Sequence, residues 1–131
     1  MSTPALRRST PVLFVDAIEP SLEFWRDRLG FALTAEVPHG DQLGFVILRK
    51  EAIEVMLQSV ASLEDDAAAY AHQFDGDKTW LFVEVEDLDA VIQALQGYEV
   101  VLERRTTFYG SNEIGYREPG GHFVTFAQFQ S

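Results

Sequence analysis

The chain has no cysteine among its 131 residues, which excludes a disulfide framework, thiolate zinc sites, iron–sulfur clusters and cysteine nucleophiles. It also lacks any uninterrupted apolar run of about 18 residues, so no segment reads as a membrane-spanning helix. The opening MSTPALRRSTPVLF holds two arginines but no apolar stretch ahead of a small-residue cleavage site, and the expectation is a cytoplasmic protein. Positive charge is scarce: 10 Lys and Arg stand against 21 Asp and Glu, a formal net charge of −11. Such a field repels phosphate, so no nucleic acid and no anionic membrane is expected as partner, whereas a cationic small molecule is attracted. Excess acid also simply serves solubility.

Signature chemistry is missing too. The three histidines, His39, His72 and His122, form no His-x-x-x-His pair. Gly-x-Ser-x-Gly is absent, and no glycine-rich run leads into a helix with a following lysine. The pair Asp65-Asp66 reads as favourable charge at a helix N-terminus. Strand alternation puts His122 on the face opposite Phe123 and Thr125, in a structural or surface role.

What the chain does have is aromatic residues, 10 Phe, 4 Tyr and 2 Trp, and enough length to bury roughly two thirds of its unfolded surface without staples. It also has a half-length repeat. The first copy reads Pro11 to Val15 as a strand, then Glu19 to Gly30 as a helix with Pro20 in its first turn, Gly30 as terminator, and Leu22, Trp25 and Leu29 on one apolar face. Strands follow at 31–37, 43–48 and 53–58. The second copy opens with a strand from Trp80 to Val85, then a helix capped by Asp87 and stopped at Gly97. Its strands are 98–105, 112–117 and 122–129, the last after the turn Glu118-Pro-Gly-Gly121. Between the copies, Ser62-Leu-Glu-Asp65 reads as a capping box opening an Ala-rich helix over 67–74. The expected architecture is α+β, two βαβββ modules at 6–60 and 78–131 joined by a linker helix at 61–77, in a single domain. Each module has one sheet face under its helix and one face open.

Pro11-Val-Leu-Phe-Val-Asp16 followed by Ser21-Leu-Glu-Phe-Trp-Arg-Asp-Arg-Leu-Gly-Phe31 resembles the opening strand and helix of the vicinal oxygen chelate superfamily, the glyoxalase, bleomycin-resistance and extradiol dioxygenase group. Ile53-Glu-Val-Met-Leu-Gln58 is similar to its fourth strand. Trp80 to Leu88 and Tyr116-Arg-Glu-Pro-Gly-Gly-His-Phe-Val-Thr-Phe126 are similar to the second module's first strand and last hairpin. The run from Phe24 to Phe31 resembles bleomycin-resistance proteins in particular. The resemblance implies a cupped mixed sheet and a homodimer with clefts between modules.

It also implies four slots where enzymes of the superfamily hold a metal, one on the first and one on the last strand of each module. These fall at Thr10, Glu54, Trp80 and Thr125. Of the four only Glu54 ligates a divalent cation well, so no metal and no other cofactor is expected. Alternation instead gathers Val12, Phe14, Glu54, Met56, Trp80, Phe82, Glu84, Phe123, Thr125 and Ala127 on the inner face. That is an aromatic slot with acidic edges, suited to a flat cation. Phe108 and Tyr109, in the loop Thr106 to Glu113, match the position of an aromatic-Gly loop that touches the drug in bleomycin-resistance proteins, and they are expected to close over the slot. The same aromatics would equally suit a plain core. Glu54 and Glu84 weigh against that, since a carboxylate buried unpaired is costly, unless Arg26, Arg104 or Arg117 pairs with them. The expected function is sequestration of a cationic, partly planar small molecule, with a metal-dependent glyoxalase- or dioxygenase-like enzyme as the alternative.

Overall fold

A computed structural model describes residues 3–130. Both copies of the repeat form the same sheet. Strands β1 (Val12–Val15), β2 (Ala32–His39), β3 (Gln42–Lys50) and β4 (Ile53–Ser59) lie in the order β1-β4-β3-β2. Strands β5 (Trp80–Glu84), β6 (Val100–Thr106), β7 (Ser111–Arg117) and β8 (Phe123–Phe129) repeat it as β5-β8-β7-β6. The pairs β1/β4 and β5/β8 are parallel and the rest antiparallel. This is the α+β, two-module architecture expected from the repeat.

The first helix departs from its expected regularity. Helix α1 (Glu19–Leu22), with Pro20 in its first turn, runs directly into a π-helical stretch, Glu23–Arg28, before Gly30 ends it at φ 82°. The wider turn is visible in the bond from Leu29 N–H to the Phe24 carbonyl at 3.2 Å. Its effect is to bury both Phe24 and Trp25 completely, where ordinary helical spacing accounts for Trp25 alone. Helix α4 (Leu88–Ala94) is capped as expected, the Asp87 carboxylate accepting from Ala90 N–H at 3.2 Å.

The linker is corrected in two places. Ser59, not Ser62, caps helix α2 (Val60–Asp66), its hydroxyl accepting from Ser62 N–H at 3.1 Å. Asp65 and Asp66 therefore close a helix rather than open one. The Ala-rich segment continues only as α3 (Ala68–Ala71), after a break at Ala67. Nothing in α3 is buried, and so short a helix without packing does not propagate.

One face of each sheet turns inward on a common core. Leu13, Val15, Val46, Leu48, Val55 and Leu57 from sheet 1 join Ile114, Tyr116, Val124 and Phe126 from sheet 2 and the apolar faces of α1, its π extension and α4 in one cluster. The helical sides of the modules touch directly. Phe24 meets Tyr98 edge to face at 5.2 Å, and Arg28 Nη1 donates to the Ala94 and Gln96 carbonyls. Tyr98 donates to Glu23 at 2.7 Å, and burial together with that carboxylate pushes its hydroxyl up to about 12.

His122, just before β8, fastens the two modules together. Its Nδ1 accepts from Thr79 N–H at 2.9 Å, which leaves the proton on Nε2 to be donated to the Phe14 carbonyl of β1 at 2.8 Å. The ring is 1% exposed. Beside it the buried Glu118 accepts from Trp25 Nε1 at 3.3 Å, and a Cβ on Gly120 would collide with Val15 and the Glu118 carboxylate. The end of β1 thus lies near the start of β8, while residues before β1 share a groove with the end of β5. The neighbouring edges of the two sheets thus lie together, and Glu54 of sheet 1 lines one groove with Phe82 and Glu84 of sheet 2.

Candidate functional site

Sheet 2 carries an aromatic row on its uncovered face. In β5, Leu81 and Val83 turn toward the core, while Trp80 and Phe82 stand 62% and 53% exposed with Glu84 beside them. Phe123, Thr125 and Ala127 of β8 lie opposite these three in register. Trp80 is held in place: its indole N–H donates to Thr125 Oγ1 at 2.8 Å, and its ring leans on Phe123 at 5.4 Å. The Arg117 guanidinium lies 4.7 Å from the Phe123 ring. Thr125, expected among the ligand contacts, is only 3% exposed; it positions the indole that covers it.

Phe82 continues to Phe129 at 6.3 Å, Phe129 to Tyr109 at 6.2 Å, and Tyr109 to the fully exposed Phe108 at 5.1 Å. Phe108 and Tyr109 extend the row at its far end and reach Phe82 through Phe129. A contiguous exposed aromatic surface of this kind marks a binding face far more often than isolated exposed residues do.

Sequence reasoning misses a buried carboxylate under this row. Glu113 is 2% exposed. It takes two bonds from Arg105, at 3.0 and 2.8 Å, one from the Tyr109 hydroxyl at 2.9 Å and one from Ser111 Oγ at 3.2 Å. Burial alone would raise its pKa, but the hydrogen bonds from Arg105, Tyr109 and Ser111 outweigh it and hold the carboxyl below its ordinary range. Arg105 and Glu113 are cross-strand partners, beside register shifts in β6 that hide the pairing from sequence reasoning.

Sheet 1 contributes less aromatic surface and one carboxylate, Glu54, to match Glu84 on sheet 2. Val12 is exposed, Met56 half-buried, and Phe14 packs edge to face on Phe74 at 5.4 Å. Glu54 accepts from Thr10 Oγ1 at 3.0 Å. The arginines that could have neutralised Glu54 and Glu84 are engaged elsewhere: Arg26 with Asp27, Arg104 with Asp89, Arg117 with Glu99. Glu54, Phe82 and Glu84 instead line a groove of about 360 Å³ between the sheet edges, with Ser9 and Pro11.

The four slots inherited from the resemblance close on one another in pairs, Thr10 with Glu54 and Trp80 with Thr125. They offer one carboxylate, two hydroxyls already bonded and an indole that only donates, a set that does not fit a divalent cation. Among the described residues no three His, Cys, Asp or Glu side chains gather as a metal site would require. His39 reaches Asp65 at 2.7 Å, and His72 is exposed on the linker.

A cupped pair of βαβββ sheets with a shared uncovered face defines a class, and the chain falls within it. The family model for the glyoxalase/bleomycin resistance protein/dioxygenase superfamily matches residues 8–126, and the chain belongs to that superfamily. No curated protein matches it. Among solved structures it is similar to a glyoxalase/bleomycin resistance protein/dioxygenase from Nocardioides, with 17% identity and a TM-score of 0.73 over 98% of this chain and 87% of that one. It is similar to lactoylglutathione lyase from Agrobacterium tumefaciens, with 16% identity and a TM-score of 0.73 over 97% and 100%. It is also similar to the bleomycin-binding protein of Streptomyces verticillus, solved with copper(II)-bleomycin, with 21% identity and a TM-score of 0.63 over 98% and 100%. Among the described residues no helix is long and apolar enough to cross a membrane.

Proposed function

We propose that this protein is a cytoplasmic small-molecule-binding protein of the bleomycin-resistance type, which sequesters a cationic, partly planar ligand without a metal and without changing it. Residues 6–60 and 78–131 act as the two modules of one domain, with 61–77 as linker. The observation that carries this reading is the replacement of the metal slots by a pinned, exposed indole on one sheet and, on the other, a carboxylate without a cationic partner among the described residues. A planar ring stacks on Trp80 and Phe82, with Phe123 packed beneath them, while Glu54 and Glu84 meet its charge; Val12, Phe14 and Met56 floor the sheet 1 side. Stacking contributes about 0.5–1.5 kcal/mol per aromatic pair beyond area burial, and a cation over a desolvated ring about as much again. Phe108 and Tyr109 supply further surface to a ligand long enough to reach them. A homodimer whose clefts leave the aromatic row open to the ligand is part of the proposal, and light scattering after size exclusion tests it.

The functional test is a fluorescence titration with metal-free and copper-loaded bleomycin at two salt concentrations. The two tryptophans form an internal control, Trp80 at 62% exposure and Trp25 at 0%. Saturable quenching of the exposed indole that weakens with salt supports the reading. Absence of any response up to high micromolar bleomycin removes that drug class, and unchanged affinity in Trp80→Ala removes the site. A metal-dependent lyase, isomerase or dioxygenase would need ligands outside the four slots. Stoichiometric binding of a divalent metal, with activity lost to chelator and restored by the ion, would favour it.

A further inference from the structure

We infer a second binding site, for a primary ammonium group on a short apolar arm, in the pocket between the uncovered face of sheet 1 and helix α2. The pocket measures about 490 Å³, within the range of small-molecule sites. Sheet 1, the β2–β3 hairpin and α2 supply its whole lining, and no residue of the aromatic row takes part. The inference therefore stands independently of the ligand proposed for sheet 2.

Its wall is apolar and its rim acidic. Val37, Pro38 and Phe45 form one side; Gln58, Asp65 and Asp66 form the other. Among the described residues no Lys or Arg lines it. Asp65 contacts His39 Nε2 at 2.7 Å, whereas Asp66 has no cationic partner among the described residues. Two acids in the last turn of a helix oppose its dipole, so helix stability does not explain them.

The independent observation is Gln58, which is 8% exposed. Its Nε2 donates to Ser62 Oγ at 3.3 Å and lies 3.5 Å from Asp66 Oδ2; the carboxylate only accepts, so it is this contact that turns the amide nitrogen toward α2. Its Oε1 then has no donor among the described residues, and Gln58 is part of the pocket lining. A group with three N–H donors and a positive charge answers both the Gln58 oxygen and the Asp66 carboxylate. A carboxylate ligand is repelled, and a neutral alcohol leaves Asp66 uncompensated. The Phe45 ring offers the arm a face. Gly44 lies against two of the lining residues: a Cβ there would stand 2.7 Å from His39 Cβ in β2 and 3.1 Å from Ser62 in α2, so a side chain at this position pushes against His39 first.

The test is a titration of ¹⁵N-labelled full chain with phenethylamine and with 2-phenylethanol, the same arm without the charge, followed by NMR. The expected result is saturable shifts centred on Phe45, Gln58, Ser62, Asp65 and Asp66, with the alcohol at least about tenfold weaker. Asp66→Asn, a change at an exposed residue, should weaken phenethylamine at least about fivefold with an otherwise unchanged spectrum; Asp65→Asn serves as a second variant should the first perturb α2. Trp80→Ala should leave the affinity unchanged. Equal binding of the alcohol, full affinity in both aspartate variants, shifts centred on Trp80 and Phe82, or no shifts at tens of millimolar amine would each overturn the assignment.

Discussion

On sheet 1, Thr10 lies two residues ahead of the edge strand and its hydroxyl donates across to Glu54 at the start of β4; on sheet 2 the slot falls at Trp80, the first residue of β5, whose indole donates across to Thr125 in β8. The two bonds have the same sense, first strand to last, and nearly the same span of chain. Their products differ. On sheet 1 the carboxylate stays half-buried at the mouth of a groove, and on sheet 2 an aromatic ring is held out from the sheet over a hydroxyl that is itself covered. A repeated scaffold has fixed the positions, while the residues placed there decide whether the position supplies charge or surface.

The comparison breaks most severely where the modules meet. Trp25 is fully buried and touches the second module through Glu118, so Trp25→Ala should cost about 3–5 kcal/mol in urea unfolding and loosen both sheets together. A local loss confined to sheet 1 would show that the modules are energetically separate. Next comes Glu113, which has no counterpart on sheet 1. Glu113→Gln should cost about 1–3 kcal/mol at pH 7. Its carboxyl ionises more readily folded than unfolded, so the stability it adds is present above the ordinary glutamate value of about 4.3 and is lost as pH falls through the lower folded value. Urea midpoints between pH 6 and pH 3 should therefore fall more steeply in the parent chain than in the variant.

Smaller effects separate the two cross-strand bonds. Thr125→Val should cost about 1 kcal/mol and free the indole, seen as lower fluorescence anisotropy of the exposed tryptophan. Thr10→Val should cost least, about 0.5 kcal/mol by thermal unfolding, because the Glu54 oxygen it releases is still within reach of water. The reverse order would mean that sheet 1, and not sheet 2, holds the stiffer half of the face.

Period-two alternation makes Trp80, Phe82 and Glu84 legible as one face from the amino-acid sequence, since a strand allows little else. The helix cap at Asp87 and the stop at Gly30 are legible for the same reason, a local rule with one solution. What is not legible depends on neighbours distant in sequence. The π turn at Glu23–Arg28 exists because it buries Phe24 beside Trp25 against the second module. The cap at Ser59 displaces the better-looking Ser62 motif because β4 runs straight into α2. The same shift of the helix start places Asp65-Asp66 at its end, where the pair no longer favours the dipole. The Arg105–Glu113 pair lies beside register shifts in β6 that no hairpin rule predicts.

The most direct measurement is a calorimetric titration of the purified protein with a planar aromatic cation such as proflavine and, separately, with zinc, repeated on Trp80→Ala and Glu54→Gln. Saturable heat with the cation, weakened about tenfold or more by Trp80→Ala and less by Glu54→Gln, with no stoichiometric zinc binding, is the predicted result. Stoichiometric zinc binding abolished by Glu54→Gln, with cation binding indifferent to Trp80, would contradict it.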